Sequence, residues 1–517
     1  MSHKKCVRML VKPSAIKIPS NIPLVRSAPR PINQQQHSYI EEFDSTTLFY
    51  DVFHSTDRII LSGPPLLNLR MILDRADFFD DNGQILSSRL ADMDRTQRSF
   101  LHSPQGSSFI SISSKEFVLS ASVGSDLQEV FAGLNVLFTK SKDNHLSWIR
   151  DWAKFHVKHH GVSGILIYDN GSTSYSPEEV LESVGSIDGL ESVVVVHWPF
   201  KFGPQGGSWD GLKNAPWDSD FCEYGIMEHA RWRFLRSAKA VLNADIDELV
   251  LANDRRSVFD VLDSSSAPVL RYPGRWIEKT SHVPGLPRFS DFSTYDVSRG
   301  PTTSKWAARP GDIPEIAQWK THEVTNTLTA ESSDVMHRHF MGINSDWKRS
   351  RTGARKIDAS KHRTDEVLVD AMNQALDLST SEDDGYVAGD RPMPVVPHRT
   401  LAAVGMMLEQ SALRSPSTKI WFYSSRCLVL DMEWSQRKIA IDMVLTDDDI
   451  IVKLHARAPD GQELLERVVA QTGCVLRSGK YMIARVPLCA DSSATASALL
   501  RIINNLYVRG QESDDNP

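Results

Sequence analysis

The chain has 517 residues, enough for a large core and two or three domains. Hydrophobic residues make up 41% and charged residues 24%, an ordinary balance for a soluble globular protein, and the net charge of −7 argues against a general nucleic-acid binder. Five scattered cysteines (Cys6, Cys222, Cys427, Cys474, Cys489) lack CxxC spacing, which fits a reducing compartment and gives no zinc signal. No apolar run approaches the length of a transmembrane helix, and the N-terminus lacks an apolar core of signal-peptide type. The expected location is cytoplasmic.

Residues 1–37 hold seven Lys or Arg and no acid, with Pro13, Pro19, Pro23, Pro29 and Pro31 among them. This predicts an extended basic arm. It is either a solvated tail or a peripheral contact with an anionic membrane, where polybasic segments gain about 1 kcal/mol per charge. Residues 38–130 predict a β-rich region. Thr47–Phe53, Arg58–Leu61, Phe109–Ser113 and Glu116–Ala121 alternate or carry β-branched residues, and Gly63-Pro64-Pro65 and Pro104-Gln105-Gly106 break them.

The pattern changes near Leu134. Asn135–Thr139 is a buried-type strand and Lys142-Asp143-Asn144 a polar turn. Leu146–His160 is a helix with Trp148, Trp152 and Phe155 on one face, ended by Gly161. Gly164–Tyr168 is the next strand and Asp169-Asn170-Gly171-Ser172 the next turn. Pro177–Val184 is a second helix capped by Ser176, and Ser192–Val196 a third strand. Strand, helix, strand, helix, strand is the signature of a parallel sheet with crossover helices. Ligands bind at the carboxyl ends of such strands, where Asp143/Asn144, Asp169/Asn170 and Asp245/Asp247 all fall.

The most informative stretch is Phe221–Leu251. Cys222, Ile226, Ala230 and Phe234 recur at helical spacing, an apolar run Ala240-Val241-Leu242 follows, and then come Asp245, Asp247 and Glu248. An apolar strand ending in Asp-x-Asp sets two carboxylates at a sheet edge. A hard divalent cation binds through one or two such carboxylates plus substrate phosphates. Asp92/Asp94, Asp218/Asp220 and Asp447/Asp449 repeat the spacing without the preceding helix and strand.

Beyond Leu251, Val269–Tyr272 predicts a strand and residues 280–315 predict loops on the acceptor side. Two basic clusters stand at Ser304–Pro310 and Met336–Arg351. Residues 377–400 predict a linker. Residues 401–517 predict a small α+β domain, with strands at Ile420–Tyr423, Cys427–Leu430, Ile439–Met443, Ile450–Leu454 and Tyr481–Val486, and helices at Gln462–Gln471 and Ser493–Asn504.

With these residues in hand, positions 134–350 resemble a GT-A-type glycosyltransferase. They resemble most the family 92 (DUF23-like) group and the family 2-like enzymes, in a bacterial-type member. The resemblance rests on Lys142-Asp143-Asn144, the Trp-rich helix, Ile167–Ser172, the Val-rich strand closing at Trp198-Pro199, the Cys222 helix running into Asp245-Ile246-Asp247-Glu248-Leu249, Lys305–Pro310 and His337–Phe340. It implies an α/β fold with a Rossmann-like mixed sheet over 131–376. It also implies a metal-dependent hexosyltransferase, inverting, that moves a sugar from a nucleoside diphosphate donor, a UDP-sugar, to a glycan or lipid-linked acceptor in polysaccharide or lipopolysaccharide synthesis.

On that resemblance Asp245, Asp247 and His339, with His337 as the alternative, hold Mn²⁺ or Mg²⁺. Asp143, Asn144 and Asp169 contact ribose or base, and Lys305, Arg309, Lys348 and Arg351 contact the diphosphate. An inverting transfer needs a carboxylate base; Glu278, Asp291 and Glu323 lie in the relevant section and none is assigned. Trp276 and Trp306 are either sugar platforms or core. Animal members carry a signal anchor that this chain lacks, and the Lys142–Asn144 turn replaces an Asn-Glu pair. A carbohydrate-binding scaffold with a relict transferase core is the competing reading. A nucleotidyltransferase is disfavoured because Thr139–Lys142 contains no glycine.

Overall fold

A computed structural model of the chain describes residues 6–35, 38–102, 106–204, 220–280, 286–344 and 357–376, and the backbone of six strands between 419 and 487. Lys348, Arg351, the linker 377–400 and the helices expected at 462–471 and 493–504 lie outside the described residues. The chain divides into two units. One runs from Met1 to Glu382 apart from Thr173–Tyr175, and the other holds Asp383–Pro517.

The first unit is mixed α/β, built on one large mixed sheet. Its strands are β1 (Val7–Val11), β2 (Asn135–Ser141), β3 (Gly164–Asp169), β4 (Ser192–His197), β5 (Ala240–Asn243), β6 (Glu248–Ala252), β7 (Val269–Ile277), β8 (Thr302–Ala308) and β9 (Val335–Phe340). They lie in the order β1-β4-β3-β2-β5-β8-β7-β9-β6, with Thr329–Glu331 alongside β7. From β1 to β5 all neighbours are parallel; β8 then runs antiparallel to β5. Both faces of a parallel sheet are covered, which is why Val193–Val196 can be an unbroken apolar run.

Helices α1 (Leu146–His160) and α2 (Pro177–Gly185) carry the chain from β2 to β3 to β4. Gly161, at φ 67°, closes α1 in the left-handed conformation that glycine adopts without strain. Ser176 and Glu179 form a capping box at the start of α2. The chain then returns through α3 (Phe221–Ala230) and inserts β5 on the other side of β2. The strand order therefore reverses between β2 and β5. A crevice opens outside the carboxyl ends of the strands at such a point.

Helix α3 is buried along its whole length and continues into a π-helical turn, Arg231–Leu235. Its polar residues each find a partner. Glu223 meets Lys140, Glu228 meets Arg98, and Arg231 donates to the carbonyls of Pro314 and Ala317. His229 bridges Tyr168 Oη and Asp51 Oδ2, both at 2.6 Å, and Asp51 also pairs with Arg233. Asp51 belongs to the N-terminal β region, so this buried network ties that region to the central sheet.

The N-terminal region is an antiparallel sheet in the order Val118–Ser122, Phe109–Ser113, Asp77–Asp80, Ile85–Arg89, Thr96–His102, Arg58–Gly63, Asp51–Ser55. It has its own core around Leu48, Val52, Ile59, Leu61, Leu101, Ile110 and Ile112. The described part of the stretch 1–37, residues 6–35, is not a free arm. Val7–Val11 pairs with β4, Arg30 is buried, and Arg26 is 1% exposed with its guanidinium donating to the carbonyls of Asp44, Thr47 and Pro65. These two arginines are spent on structure and cannot present charge to a membrane. Among the described residues no helix is long and apolar enough to cross one.

In the second unit the described strands form one antiparallel sheet in the order Lys419–Ser424, Cys427–Trp434, Arg437–Leu445, Asp449–Ala456, Tyr481–Pro487, Val475–Ser478.

Candidate active site

Strand β5 ends at Asn243 and the chain turns tightly into β6. The Asp245 N–H donates to Glu248 Oε2 at 2.9 Å, and the Glu248 N–H donates back to the Asp245 carbonyl at 3.0 Å. Ile246 is buried, while Asp245 and Asp247 on either side are partly exposed. The turn thus offers two carboxylates at the crevice and buries a third, Glu248.

A chain of alternating charges runs through this turn. Glu223 Oε1 lies 2.6 Å from Lys140 Nζ, which lies 3.0 Å from Asp245 Oδ1. Asp245 Oδ2 lies 2.6 Å from Lys305 Nζ, itself 3.2 Å from Glu248 Oε2. Glu248 Oε1 faces His339 Nδ1 at 3.2 Å, and His339 Nε2 faces Asp247 Oδ2 at 3.1 Å. Lys140 lies one residue before the end of β2 and Asp245 follows β5, so their pair spans the point where the strand order reverses.

The protonation states follow from this chain. Burial raises the Asp245 carboxyl, but Lys140 and Lys305 outweigh it and hold the group well below the ordinary range. Burial likewise opposes ionisation of Glu248, and Lys305 and His337 more than offset it. Burial pushes the Lys305 ammonium down, and Asp245 and Glu248 lift it above the usual lysine value. His339 is raised to about 9, burial being overcome by Asp247 and Glu248, whereas burial lowers His337 to about 4.

Adjacent strands place the histidines. His337 and His339 share one face of β9 by the period of two, and His339 sits opposite Glu248 across the β6–β9 pair. His337 Nε2 is 2.7 Å from Thr302 Oγ1 and 3.5 Å from Glu248 Oε1. Gly274 on β7 leaves the space: a Cβ there would lie 2.1 Å from both His337 Nε2 and Thr302 Oγ1. Glu248, His337 and His339 bring donor atoms within 4.8 Å of one another.

The turns after β2 and β3 are joined. The Asp143 N–H donates to Ser172 Oγ at 2.9 Å, and the Ser172 N–H donates to Asp169 Oδ2 at 3.3 Å. Asp143 takes a left-handed φ of 52°, and Asn144 Nδ2 donates to Ser141 Oγ at 3.0 Å. Burial raises the Asp169 carboxyl. Its Oδ1 finds no donor among the described residues.

Other expected residues stand elsewhere. Lys305 is not on a loop but inside β8. Arg309 does not join the site. Its guanidinium clamps the carbonyls of Leu262, Ser265 and Ala267, at and just beyond the end of helix α4 (Val258–Asp263), and pairs with Asp312. Trp306 is fully buried against Trp319 and is core. Trp276 lies 4.5 Å from the His339 ring, with the Arg299 guanidinium 4.4 Å from its centroid. Glu278 is buried and paired with Arg299 at 2.6 Å. Asp291 accepts from the Arg288 N–H, and Glu323 lies 3.4 Å from Lys320. Lys140, Glu223 and Glu248 complete the charge chain and were not singled out as site residues from the sequence. The available signal was a lysine one residue before the end of a strand that feeds the crevice.

No family model matches the sequence, and no curated protein does. Among solved structures the chain is similar to S. aureus TarS 1-349 in complex with UDP, at 11% identity and a TM-score of 0.23. That match covers 40% of this chain and 60% of the other. A likeness of that size carries no weight for fold or function.

Proposed function

We propose that this protein is a metal-dependent glycosyltransferase that moves a hexose from a UDP-sugar to a hydroxyl of a glycan or lipid-linked acceptor. The observation that carries this reading is the Lys140–Asp245–Lys305 ladder, set beside Asp247 and His339 at the carboxyl ends of β2 and β5.

Loss of a nucleoside diphosphate builds negative charge on the leaving oxygen. Fixed cations near the site stabilise it without rearranging during the reaction. Lys140 and Lys305 are two such cations, held in place by Asp245. The residues also suit a divalent ion. Glu223, Asp245, Asp247 and Glu248 bring four negative charges against two ammonium groups. One divalent cation beside a neutral His339 balances that excess, and a proton on His339 balances half of it. When bound, the ion would neutralise donor phosphate charge. A mixed carboxylate and imidazole set leans toward Mn²⁺.

Asp143, Asn144 and Asp169 stand at the ends of the neighbouring strands, where ribose or base would lie, and Asp169 Oδ1 is an acceptor awaiting a donor. On the family resemblance, transfer inverts the anomeric configuration. The test is diphosphate release from a panel of UDP-, GDP- and CDP-sugars with Mn²⁺, Mg²⁺ or EDTA, beside the Asp245→Ala/Asp247→Ala double variant. Metal-dependent hydrolysis of one donor, lost in the variant, supports the reading. No hydrolysis, and no calorimetric binding of any nucleotide with Mn²⁺, sinks it.

A further inference from the structure

Away from the crevice, three arginines crowd one indole. The guanidiniums of Arg98, Arg236 and Arg231 lie 4.6, 4.7 and 5.1 Å from the Trp232 ring centroid, and Arg58 lies 5.1 Å from that of the neighbouring Phe100. Two of these four cations are matched by carboxylates. Arg98 holds Glu228 at 2.9 Å, and Arg58 pairs with Glu315 and Asp57. The other two are not. Arg231 is 3% exposed and commits its terminal nitrogens to the carbonyls of Pro314 and Ala317, which carry no charge. Among the described residues the Arg236 guanidinium makes no hydrogen bond and no ion pair, and rests over the Trp232 ring.

Arg231 and Arg236 line one cavity, with Trp232, Pro310 and Gly311 among its walls. The carboxylate on the wall, Glu315, is neutralised by Arg58. The cavity measures about 100 Å³, room for several waters or one tetrahedral oxyanion. That is well below the roughly 300 Å³ at which pockets for larger organic ligands begin. It lies at the amino end of β5 and the carboxyl end of β8, whereas Asp245 lies beyond the carboxyl end of β5. The two sites therefore stand at opposite ends of one strand. Arg231 and Trp232 open the π-helical turn Arg231–Leu235, and Arg236 follows it. Such turns are rare and fall frequently at functional sites.

We propose that this cavity binds a small phosphate-type dianion, with the free fork of Arg236 donating to its oxygens and Arg231 as a buried supporting charge. A guanidinium fork matches two phosphate oxygens at once. Burial pushes the Arg231 guanidinium down to about 10, Glu228 lifts it, and Arg98 and Arg236 push it down again. An anion in the cavity would relieve that repulsion. The proposal does not depend on the transferase reading.

The test uses the full chain, calorimetry with inorganic phosphate, and thermal unfolding, all at one ionic strength held with chloride. Wild type should bind one phosphate saturably, and its unfolding midpoint should rise with phosphate concentration, as for any ligand that binds only the folded state. Acetate should bind at least about tenfold more weakly, because a monoanion gains less from two cations. Arg236→Gln should weaken phosphate at least about tenfold, the loss of one charge-assisted hydrogen bond. Its phosphate-free midpoint should stay near wild type, since the side chain gives up only its contact with Trp232. Gly311→Leu keeps every arginine. A Cβ there meets no atom within 4 Å, so the fold accepts it while the side chain takes space the anion needs, and phosphate should weaken similarly. UDP affinity with Mn²⁺ should be the same in both variants as in wild type. Glucose 6-phosphate identifies the source of the phosphoryl group: tighter binding than inorganic phosphate assigns the cavity to a phosphorylated metabolite, and weaker binding assigns it to free phosphate.

The inference is overturned if wild type binds no phosphate, which would leave Arg236 an ordinary solvated arginine. It is overturned equally if Arg236→Gln binds phosphate like wild type. Displacement of phosphate by UDP also overturns it, and would put the anion beside Lys140 and Lys305 instead.

Discussion

His156 and His160, one helical turn apart on α1, take the two backbone polar groups of a single residue, Val250. The Val250 N–H donates to His156 Nε2 at 3.3 Å, and His160 Nε2 donates to the Val250 carbonyl at 2.9 Å. Val250 lies on β6, the outer strand of the central sheet. An edge strand leaves backbone groups unpaired on one side, and here two buried imidazoles supply the missing partners. The strand they secure begins at Glu248, so the pair fixes the base of the candidate metal turn.

This arrangement requires both rings to be neutral. His156 Nδ1 donates to the Trp152 carbonyl and leaves Nε2 as the acceptor. His160 Nδ1 accepts from the Val258 N–H at 3.1 Å. Burial lowers His156 to about 3 and His160 well below its usual value. The unfolded chain takes up these protons near pH 6.5 and the folded chain does not, so folding stability is complete above that pH and is lost as pH falls. For His156 the loss reaches about 2 kcal/mol at pH 5, and His160 adds to it in the same direction. Urea unfolding between pH 5 and 8 should show this slope. His160→Gln should lower stability at pH 7.5 and flatten the slope. An unchanged slope in the variant would show that protonation is relieved elsewhere.

Replacing Lys140 separates structure from function. Lys140→Met keeps the length of the side chain but removes the charge shared by Glu223 and Asp245. Breaking one side of a buried pair costs about 3 kcal/mol or more. Adding Glu223→Gln removes the carboxylate left behind and should recover part of that stability. Donor affinity should stay low in both variants, because the ammonium at the crevice is absent from each. Calorimetry with UDP and Mn²⁺ beside chemical unfolding checks both halves, and recovery of UDP affinity in the double variant would make Lys140 purely structural.

Much of this was legible in the sequence because local patterns set it. The strand–helix alternation from Asn135 to His197, the helix stop at Gly161 and the helix start at Ser176, and the carboxylates after an apolar strand all depend on neighbours a few residues apart. The histidines of β9 were legible for the same reason. What was not legible depends on pairing across the chain. Lys140 meets Asp245 over 105 residues, and no periodicity reports that. Val7–Val11 looked like part of a basic arm because its apolar residues are few and Arg8 interrupts them, yet they pair residue for residue with the Val-rich β4. The strands Asp77–Asp80, Ile85–Arg89 and Thr96–His102 carry charged and polar residues that mask their alternation. Helix α3 was recognised, but its burial on every face was hidden by six charged or imidazole side chains from Glu223 to Arg236, nearly all of which pair internally.

Arg309 offers a direct check on where sequence adjacency misleads. It follows Lys305 by one turn of pattern, yet donates to three carbonyls at the end of α4. Arg309→Ala should destabilise the protein by about 1–3 kcal/mol, as expected when partly buried acceptors lose their donor. UDP affinity should not change. A loss of UDP affinity at full stability would return Arg309 to the site.

Gly274 provides the sharpest test of packing behind the histidines. Any side chain there collides with His337 and Thr302, because a Cβ would lie 2.1 Å from each. Neither neighbour can retreat easily, since both belong to the adjacent strands β9 and β8. Gly274→Ala should therefore destabilise by about 1–3 kcal/mol through overpacking. His337→Ala alone should also destabilise, by removing a buried ring that contacts Thr302 and Glu248. In the double variant the new methyl occupies space the imidazole has left, so the two costs should fall short of their sum by about 1 kcal/mol or more. Unfolding midpoints of the four proteins give this coupling directly. Strict additivity would mean that His337 and Gly274 do not share the contact, and that His337 is held at Glu248 by something other than the gap in β7.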